Sequence, residues 1–179
     1  MKIAVDIGHN CQGDRGASGV KNEDVLTKEL GGKLISLLQR EGHQVVEVLP
    51  KYAHSVNDSL NQRVSKANAA RCDLFVSLHF NAFNKRAYGS EIYALSAYKV
   101  AQKTLGEICK LGFFNRGVKR RNFYVLVRTK MPAILIESCF CDSIRDMDLY
   151  DSNSMAIAIK NGILGKSGVY KPKERIFRL

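Results

Sequence analysis

The sequence has no apolar run long enough to cross a membrane. Nothing in it approaches the roughly 18 consecutive apolar residues of a transmembrane helix, so we expect no membrane-spanning segment. The N-terminus also lacks the apolar core of a secretory signal peptide, because Asp6 and Gly8 interrupt its first apolar stretch. We therefore expect synthesis in the cytoplasm without a signal peptide.

Cysteine is scarce, and its count is odd. An odd number without a secretory signal argues against a disulfide framework. Cys139 and Cys141 are one residue apart, which is not zinc-finger spacing, and no second cysteine pair lies elsewhere. We expect reduced thiols and no cysteine metal site. The five cysteines are Cys11, Cys72, Cys109, Cys139 and Cys141.

Acidic residues are few relative to basic ones. The chain has 28 Lys and Arg against 17 Asp and Glu, a net charge of +11. This balance favours a polyanionic partner such as nucleic acid, an anionic membrane surface or a cell-wall polymer. The basic residues cluster only at 116–121 (RGVKRR) and in the tail 166–178. Neither cluster is interleaved with aromatic residues as a single-strand nucleic-acid platform would be, so we expect no nucleic-acid partner.

Along the 179 residues, short runs of apolar residues alternate with longer stretches in which apolar residues recur at helical spacing. Short apolar runs predict strands, and longer stretches with helical spacing predict helices. The pattern indicates an α/β fold: a single three-layer domain with an approximately six-stranded, mostly parallel twisted sheet and helices on both faces. We place this domain at 1–165 and a basic tail or linker at 166–179. Strands are predicted at about 3–7, 43–48, 73–78, 91–95, 123–127 and 133–136, with a turn at Arg116-Gly117. Helices are predicted at about 22–41 (capped by Asn22), 60–70 (capped by Asp58 or Ser59), 97–111 and 154–164.

Three of the predicted strands each end in a residue suited to metal or acid–base chemistry. His9 follows the first strand, His79 follows the third, and Glu137 follows the apolar run 133–136. The ligand crevice of an open α/β sheet lies outside the carboxyl ends of its strands. We therefore expect these side chains to converge.

Glu23 is a candidate third ligand beside the two histidines. Two neutral imidazoles and one carboxylate would give zinc three protein ligands and leave one position for water, as in catalytic zinc sites. The spacing forms no compact motif, and ordinary explanations exist for each residue. A histidine at a strand end can simply be hydrogen-bonded, and Glu23 can be a first-turn carboxylate. Glu137 is harder to explain structurally, because a carboxylate in a buried strand needs a partner or a metal.

Four segments in order resemble the zinc-dependent N-acetylmuramoyl-L-alanine amidases of the Amidase_3 type, found in cell-wall hydrolases and phage endolysins. They are VDIGHN around His9, GVKNEDV around Glu23, SLHFNA around His79 and PAILIESCF around Glu137. GSEIYAL after the second histidine supports the match. The resemblance spans residues 2–141.

The resemblance implies a peptidoglycan hydrolase that cleaves the amide between N-acetylmuramic acid and L-alanine. It implies one Zn²⁺ per chain held by His9, Glu23 and His79, with Glu137 as the catalytic residue and Asn81 as a substrate contact. Release by a holin or by lysis would bring such an enzyme to the wall, and we expect a monomer. The alternatives are a zinc peptidase cutting within the stem peptide and a catalytically silent wall-binding module.

The segment around the helical ligand departs from the usual family pattern. Many relatives read Glu-Lys-Asp there, whereas this chain reads Asn22-Glu23-Asp24. An alignment on the aspartate would put Asn22 in the ligand position. Glu23 is preferred because asparagine is a poor zinc ligand, and Asp24 is the alternative.

Overall fold

Six strands form one sheet in the order β2-β1-β3-β6-β4-β5 in the computed structural model, which describes residues 1–170. Neighbouring strands are parallel except β4 and β6, which are antiparallel. The predicted six-stranded, mostly parallel sheet is therefore confirmed. The strands are β1 (Lys2–Ile7), β2 (Gln44–Glu47), β3 (Leu74–Asn81), β4 (Ser90–Ala94), β5 (Asn115–Lys119) and β6 (Ala133–Phe140).

Helices cover both faces of the sheet, which confirms the three-layer architecture. Three long helices, α1, α3 and α6, pack together on one face, and α2 with the short α4 packs on the other. The helices are α1 (Glu23–Arg40), α2 (Val56–Ala69), α3 (Tyr98–Cys109), α4 (Tyr124–Arg128), α5 (Ile144–Leu149) and α6 (Ser152–Ile163). None of the helices within residues 1–170 has the length and apolar character needed to cross a membrane.

The two faces of the central strands differ in polarity. The face under α1, α3 and α6 is apolar along its whole length. The face under α2 and α4 begins apolar and turns polar toward the carboxyl ends of the strands: Phe75 is followed by Ser77 and His79, and Leu135 by Glu137. Because alternate residues of a strand share a face, this change leaves polar groups at one end of the sheet. The small helical layer lies over the apolar part.

The region between α3 and β6 is where the sequence prediction was wrong. The predicted strand 123–127 is a short helix, α4, and the predicted turn at Arg116-Gly117 is the edge strand β5. Short apolar runs do not distinguish a strand from a buried helical turn, and here Val125 and Leu126 pack against the core under α2. Charged residues and a glycine at positive φ concealed β5, as is common at sheet edges.

Helix α2 begins earlier than predicted, with Ser55 as its N-cap in place of Asp58 or Ser59. The Ser55 hydroxyl accepts a hydrogen bond from the Asp58 amide at 3.2 Å, and the Asp58 carboxylate accepts one from the His54 amide at 2.9 Å. The pair resembles a capping box, except that Asp58 binds the amide of His54, the residue before the N-cap. Helix α5 was not predicted. Of the predicted tail 166–179, residues 171–179 lie outside the described part of the chain.

Candidate metal centre and adjoining cleft

His9 lies in a tight turn directly after β1. His9 and Asn10 both have left-handed backbone conformations, with φ of 57° and 63°. The Asn10 amide holds the turn by donating to the Gly8 carbonyl (2.9 Å) and to the Thr27 hydroxyl (2.7 Å). The Nδ1 atom of His9 is 2.8 Å from Asp14 Oδ1, so its Nε2 atom points toward Glu23. A carboxylate behind a histidine in this way orients imidazoles that bind metals.

His79 reaches the same place from β3 because Gly8 leaves room for its ring. A Cβ atom at position 8 would lie 2.5 Å from His79 Cε1 and 2.7 Å from its Nδ1. The two imidazoles meet edge to face, with ring centroids 4.8 Å apart. Packing against Gly8 therefore sets the position of the His79 ring.

Glu23 joins the two histidines from the first turn of α1. Its Oε1 atom is 3.2 Å from His79 Nδ1 and 3.4 Å from His9 Nε2, and it accepts a hydrogen bond from the Phe80 amide at 3.0 Å. Its Oε2 atom accepts one from the Ala17 amide at 2.8 Å. The carboxylate is almost fully buried and held at both oxygens.

The three residues bring one donor atom each to within 4.8 Å of one another. Burial disfavours the charge on Glu23, but hydrogen bonds from His79 and His9 hold the pKa of this carboxyl well below its usual range. Burial also opposes the charge on His9, yet its bonds to Asp14 and Glu23 raise the pKa of His9 to about 10. The centre thus attracts positive charge, and a set of two imidazoles and one carboxylate fits a zinc ion.

Neither neighbour of Glu23 reaches the two histidines. Asn22 is the N-cap of α1, and its side chain accepts from the Val25 amide at 3.3 Å. Asp24 accepts from the Gly16 amide at 2.9 Å on the other side of the loop. The geometry therefore favours Glu23 over both alternatives as the third donor.

Glu137 lies next to this centre on β6. It is paired in register with His79 of β3 on one side and with Glu91 of β4 on the other. Within residues 1–170, its buried Oε2 atom has no hydrogen-bond partner. Burial, and to a lesser degree the charges of Glu23 and Glu91, raises the pKa of Glu137 to about 7. A carboxyl group with these properties can accept and return a proton near neutral pH.

Asn81 lies two residues after His79, and its side chain is turned toward β4. Its amide donates to Glu91 Oε1 at 3.2 Å, and its own carbonyl oxygen accepts from the Ala82 amide at 3.0 Å. Glu91 also accepts from Tyr93, Arg116 and Lys119 at 2.6–2.7 Å. Asn81 therefore belongs to a polar network beside Glu137 rather than to the metal centre.

Sequence reasoning missed Arg63, Asp14 and Glu91. Arg63 is 1% exposed and donates to the Asp6 carboxylate and to the carbonyls of Ile7 and His9. In the sequence it resembles any charged residue on a polar helix face, because its burial depends on α2 packing over the end of β1. Glu91 was detectable in principle, since it lies in a predicted strand.

A cleft of about 300 Å³ adjoins the centre. His9, His79 and Glu137 lie on one side of it. The lining also includes apolar and aromatic side chains from α2 and from the segment around α4, namely Val56, Leu60, Phe123, Tyr124 and Val125. The cleft can therefore hold a ligand that presents apolar groups to these side chains, next to Glu137 and the two histidines.

Fold and site together define an α/β domain with a candidate metal centre at the carboxyl ends of parallel strands. The family model of N-acetylmuramoyl-L-alanine amidases, Amidase_3, matches residues 3–165. The chain belongs to this family, as the sequence motifs predicted.

Curated relatives and solved structures agree with this assignment. The chain is 32% identical over 166 residues to the N-acetylmuramoyl-L-alanine amidase CwlM of Bacillus licheniformis, covering 90% of this chain and 65% of the relative. It is 33% identical over 173 residues to the endolysin of Bacillus phage SPP1, covering 89% and 62%. It superposes on the catalytic domain of the CD27L endolysin targeting Clostridia difficile with a TM-score of 0.84 and 32% identity, covering 93% of this chain and 98% of that one. The chain spans about half the length of the first curated relatives it matches.

Proposed function

We propose that this chain is a peptidoglycan hydrolase that cleaves the amide bond between N-acetylmuramic acid and the L-alanine of the stem peptide. The observation that carries the proposal is the convergence of His9, Glu23 and His79 beside Glu137, whose buried oxygen has no partner within residues 1–170. Family membership and the names of the relatives support this substrate.

We assign His9, Glu23 and His79 as ligands of one Zn²⁺ per chain. When bound, zinc would supply Lewis acidity toward the scissile carbonyl and would lower the pKa of a water molecule. Two neutral imidazoles and one carboxylate leave the bound ion with a net charge of +1, which preserves that acidity. Asp14 holds the His9 ring, and the Phe80 and Ala17 amides hold the Glu23 carboxylate.

Glu137 is the proton shuttle in this proposal. Its carboxylate takes a proton from the attacking water and returns it to the nitrogen of L-alanine as the amide bond breaks. Among the described residues, its buried Oε2 atom has no hydrogen-bond partner, and its register opposite His79 keeps it beside the proposed metal ligands. Asn81 remains a proposed substrate contact, because its amide has a second N–H besides the one bound to Glu91, and no partner for it lies among residues 1–170.

The remaining assignments concern the surroundings of the catalytic chemistry. The basic surface suits an anionic wall polymer, and we propose action on the bacterial wall after release through a holin or by lysis. The family match over 3–165 supports a catalytic domain at 1–165, with 166–179 as a tail or linker. A monomer is sufficient for the site, because every group in it comes from one chain.

Digestion of purified peptidoglycan, followed by mass analysis of the soluble fragments, tests the proposal. We expect stem peptides that begin at L-alanine, loss of their release with a chelator, and recovery with Zn²⁺. Glu137→Gln should bind zinc normally and lose at least about 100-fold in rate, because general acid–base catalysis contributes that much. Glu47→Gln, an exposed glutamate on β2, is the matched control and should keep full activity.

Other outcomes would overturn the assignment. Chelator-sensitive cuts inside the stem peptide would instead identify a zinc peptidase. Absence of fragments from several wall types, with zinc bound, would identify a silent wall-binding module. Full activity in Glu137→Gln would remove this residue from the mechanism.

A further inference from the structure

The basic segment 116–121 ends beside the cleft, and the proposed reaction does not use it. Arg121, its last residue, stacks on the ring of Phe123 with the guanidinium carbon 4.8 Å from the ring centroid. Phe123 lines the cleft. In the described part of the chain, Arg116 and Lys119 pair with Glu91, whereas Arg121 has no carboxylate within salt-bridge distance. An aromatic ring thus holds a guanidinium whose donors remain available.

A continuous row of side chains connects Arg121 to Glu137. The Phe123 ring meets the Tyr93 ring edge to face, with centroids 4.9 Å apart. Tyr93 is paired with Leu135, two residues before Glu137 on β6, so Tyr93 and Glu137 lie on the same face of the sheet. Burial and the hydrogen bond to Glu91 raise the pKa of Tyr93 to about 12; the charge of Glu137 raises this pKa further, and that of Arg121 lowers it. Arg121 and the reaction centre therefore border one surface.

The charged groups that adjoin Tyr93 and Phe123 carry surplus positive charge. Glu91 is the single carboxylate bound by both Arg116 and Lys119, so these three groups together have a charge of +1. Arg121 increases that excess. An anionic group of the substrate that reached this side of Phe123 would therefore be attracted to it.

We propose that Arg121 binds a carboxylate of the stem peptide on the leaving side of the scissile amide. The inference rests on the proposed function and specifies its substrate: a muropeptide whose peptide carries a free carboxylate beyond L-alanine. The two ring contacts from Arg121 to Tyr93 measure 4.8 and 4.9 Å. Glu137 lies beyond Tyr93 on the neighbouring strand and the same face, a path that a few extended residues of a peptide can follow. The anion is thus within reach of the substrate's own peptide, and a guanidinium pairs well with a carboxylate.

Kinetics with two soluble muropeptides test this carboxylate contact. One has free stem carboxylates, and in the other they are amidated. For the unmodified enzyme we expect a KM about fivefold lower for the free acid with kcat unchanged, which is the range of an exposed ion pair. Arg121→Gln should raise the KM for the free acid to that for the amide. Added salt should likewise raise the KM of the unmodified enzyme for the free acid toward its KM for the amide.

Arg120→Gln is the matched control for Arg121→Gln. Arg120 is the preceding residue, is also exposed, and directs its guanidinium to the Leu95 carbonyl at 3.4 Å. The Arg120→Gln variant should keep the lower KM for the free acid. Retention of that preference in Arg121→Gln, or its absence in the unmodified enzyme, would overturn the proposal. A loss of activity in Arg121→Gln that is seen only on intact walls would also overturn the proposal, because it would indicate that Arg121 binds a phosphate of another wall polymer.

Failure of the proposed function can be told apart from failure of this inference. Equilibrium binding of the free and amidated stem peptides to Glu137→Gln measures the carboxylate contact without hydrolysis. If Glu137→Gln binds the free peptide more tightly, and this preference disappears in the double variant that also carries Arg121→Gln, the inference is supported whatever the wall assay shows. Equal affinity for the two peptides contradicts it.

Discussion

At the scale of single residues, Gly8 has a larger effect on the candidate centre than its size suggests. It ends β1 and lies against the His79 ring and against the Leu78 carbonyl, which would be 2.6 Å from a Cβ atom at position 8. The backbone φ of Gly8 lies outside the left-handed region, so space rather than conformation requires glycine there. The residue thus controls where the second imidazole lies.

Replacing Gly8 by alanine should weaken zinc binding. The new methyl group would push the His79 ring out of line with Glu23 and His9, and we expect a loss of about 10- to 100-fold in metal affinity. Competition with a chromophoric chelator measures it. Gly32→Ala is the control, because Gly32 lies on the exposed side of α1 with nothing within 4 Å of a Cβ atom. It should leave affinity unchanged and stabilise the helix by about 1 kcal/mol. Equal zinc affinity in both variants would refute the role of Gly8.

At the scale of elements, Arg63 links α2 to the end of β1. Its guanidinium is buried, pairs with Asp6 and donates to the Ile7 and His9 carbonyls, directly below the turn that presents the first imidazole. Asp14, on the loop after that turn, lies 3.7 Å from the same group. One side chain therefore joins a helix, a strand and a loop.

Arg63→Met should destabilise the fold by about 3–5 kcal/mol, because Asp6 would be left as an unpaired buried charge. Denaturant unfolding at neutral pH measures the change. Arg63→Lys keeps the charge but offers fewer hydrogen-bond donors in a different geometry. This variant should therefore fold, but it should bind zinc more weakly than the unmodified chain. Lys66→Met, an exposed change on the same helix, should stay within about 0.5 kcal/mol of the unmodified chain. An unchanged free energy of unfolding in Arg63→Met would show that the Arg63–Asp6 ion pair makes no net contribution to stability.

At the scale of the whole molecule, a metal centre assembled from β1, α1 and β3 should couple zinc binding to folding. The three proposed ligands are 14 and 56 residues apart in sequence, so the unfolded chain holds no preformed site. Binding to the folded state alone raises its stability by mass action.

Zinc at about 100 times its dissociation constant should add about 2.7 kcal/mol of stability, or roughly 5–10 °C in Tm. Calorimetric scans with zinc and with chelator measure the shift. His79→Ala should abolish it, whereas Glu137→Gln should retain it, because Glu137 lies beside the ligands and is not one of them. A full shift in His79→Ala would remove His79 from the ligand set.

Much of the fold and site could be predicted from the sequence because the signals are local. Apolar runs identify β1, β3 and β6, and the helical stripe identifies α1. His9, His79 and Glu137 each follow such a run, so their convergence follows from parallel strands ending at one edge. Glu23 needed the family resemblance to stand out from an ordinary first-turn carboxylate.

By itself, the sequence determined the α/β class and the family and singled out His9, His79 and Glu137 as candidates, since each depends on periodicity or on a short motif. The structure extends β3 and β6 beyond their predicted ends, so that His79 and Glu137 lie within these strands. Only the tertiary structure decided that 124–128 is helical, that Arg63 is buried, and that Arg121 lies beside the cleft. These features depend on which distant segments pack together. A charged side chain on a helix or after an edge strand has the same local sequence whether it faces solvent or a binding site.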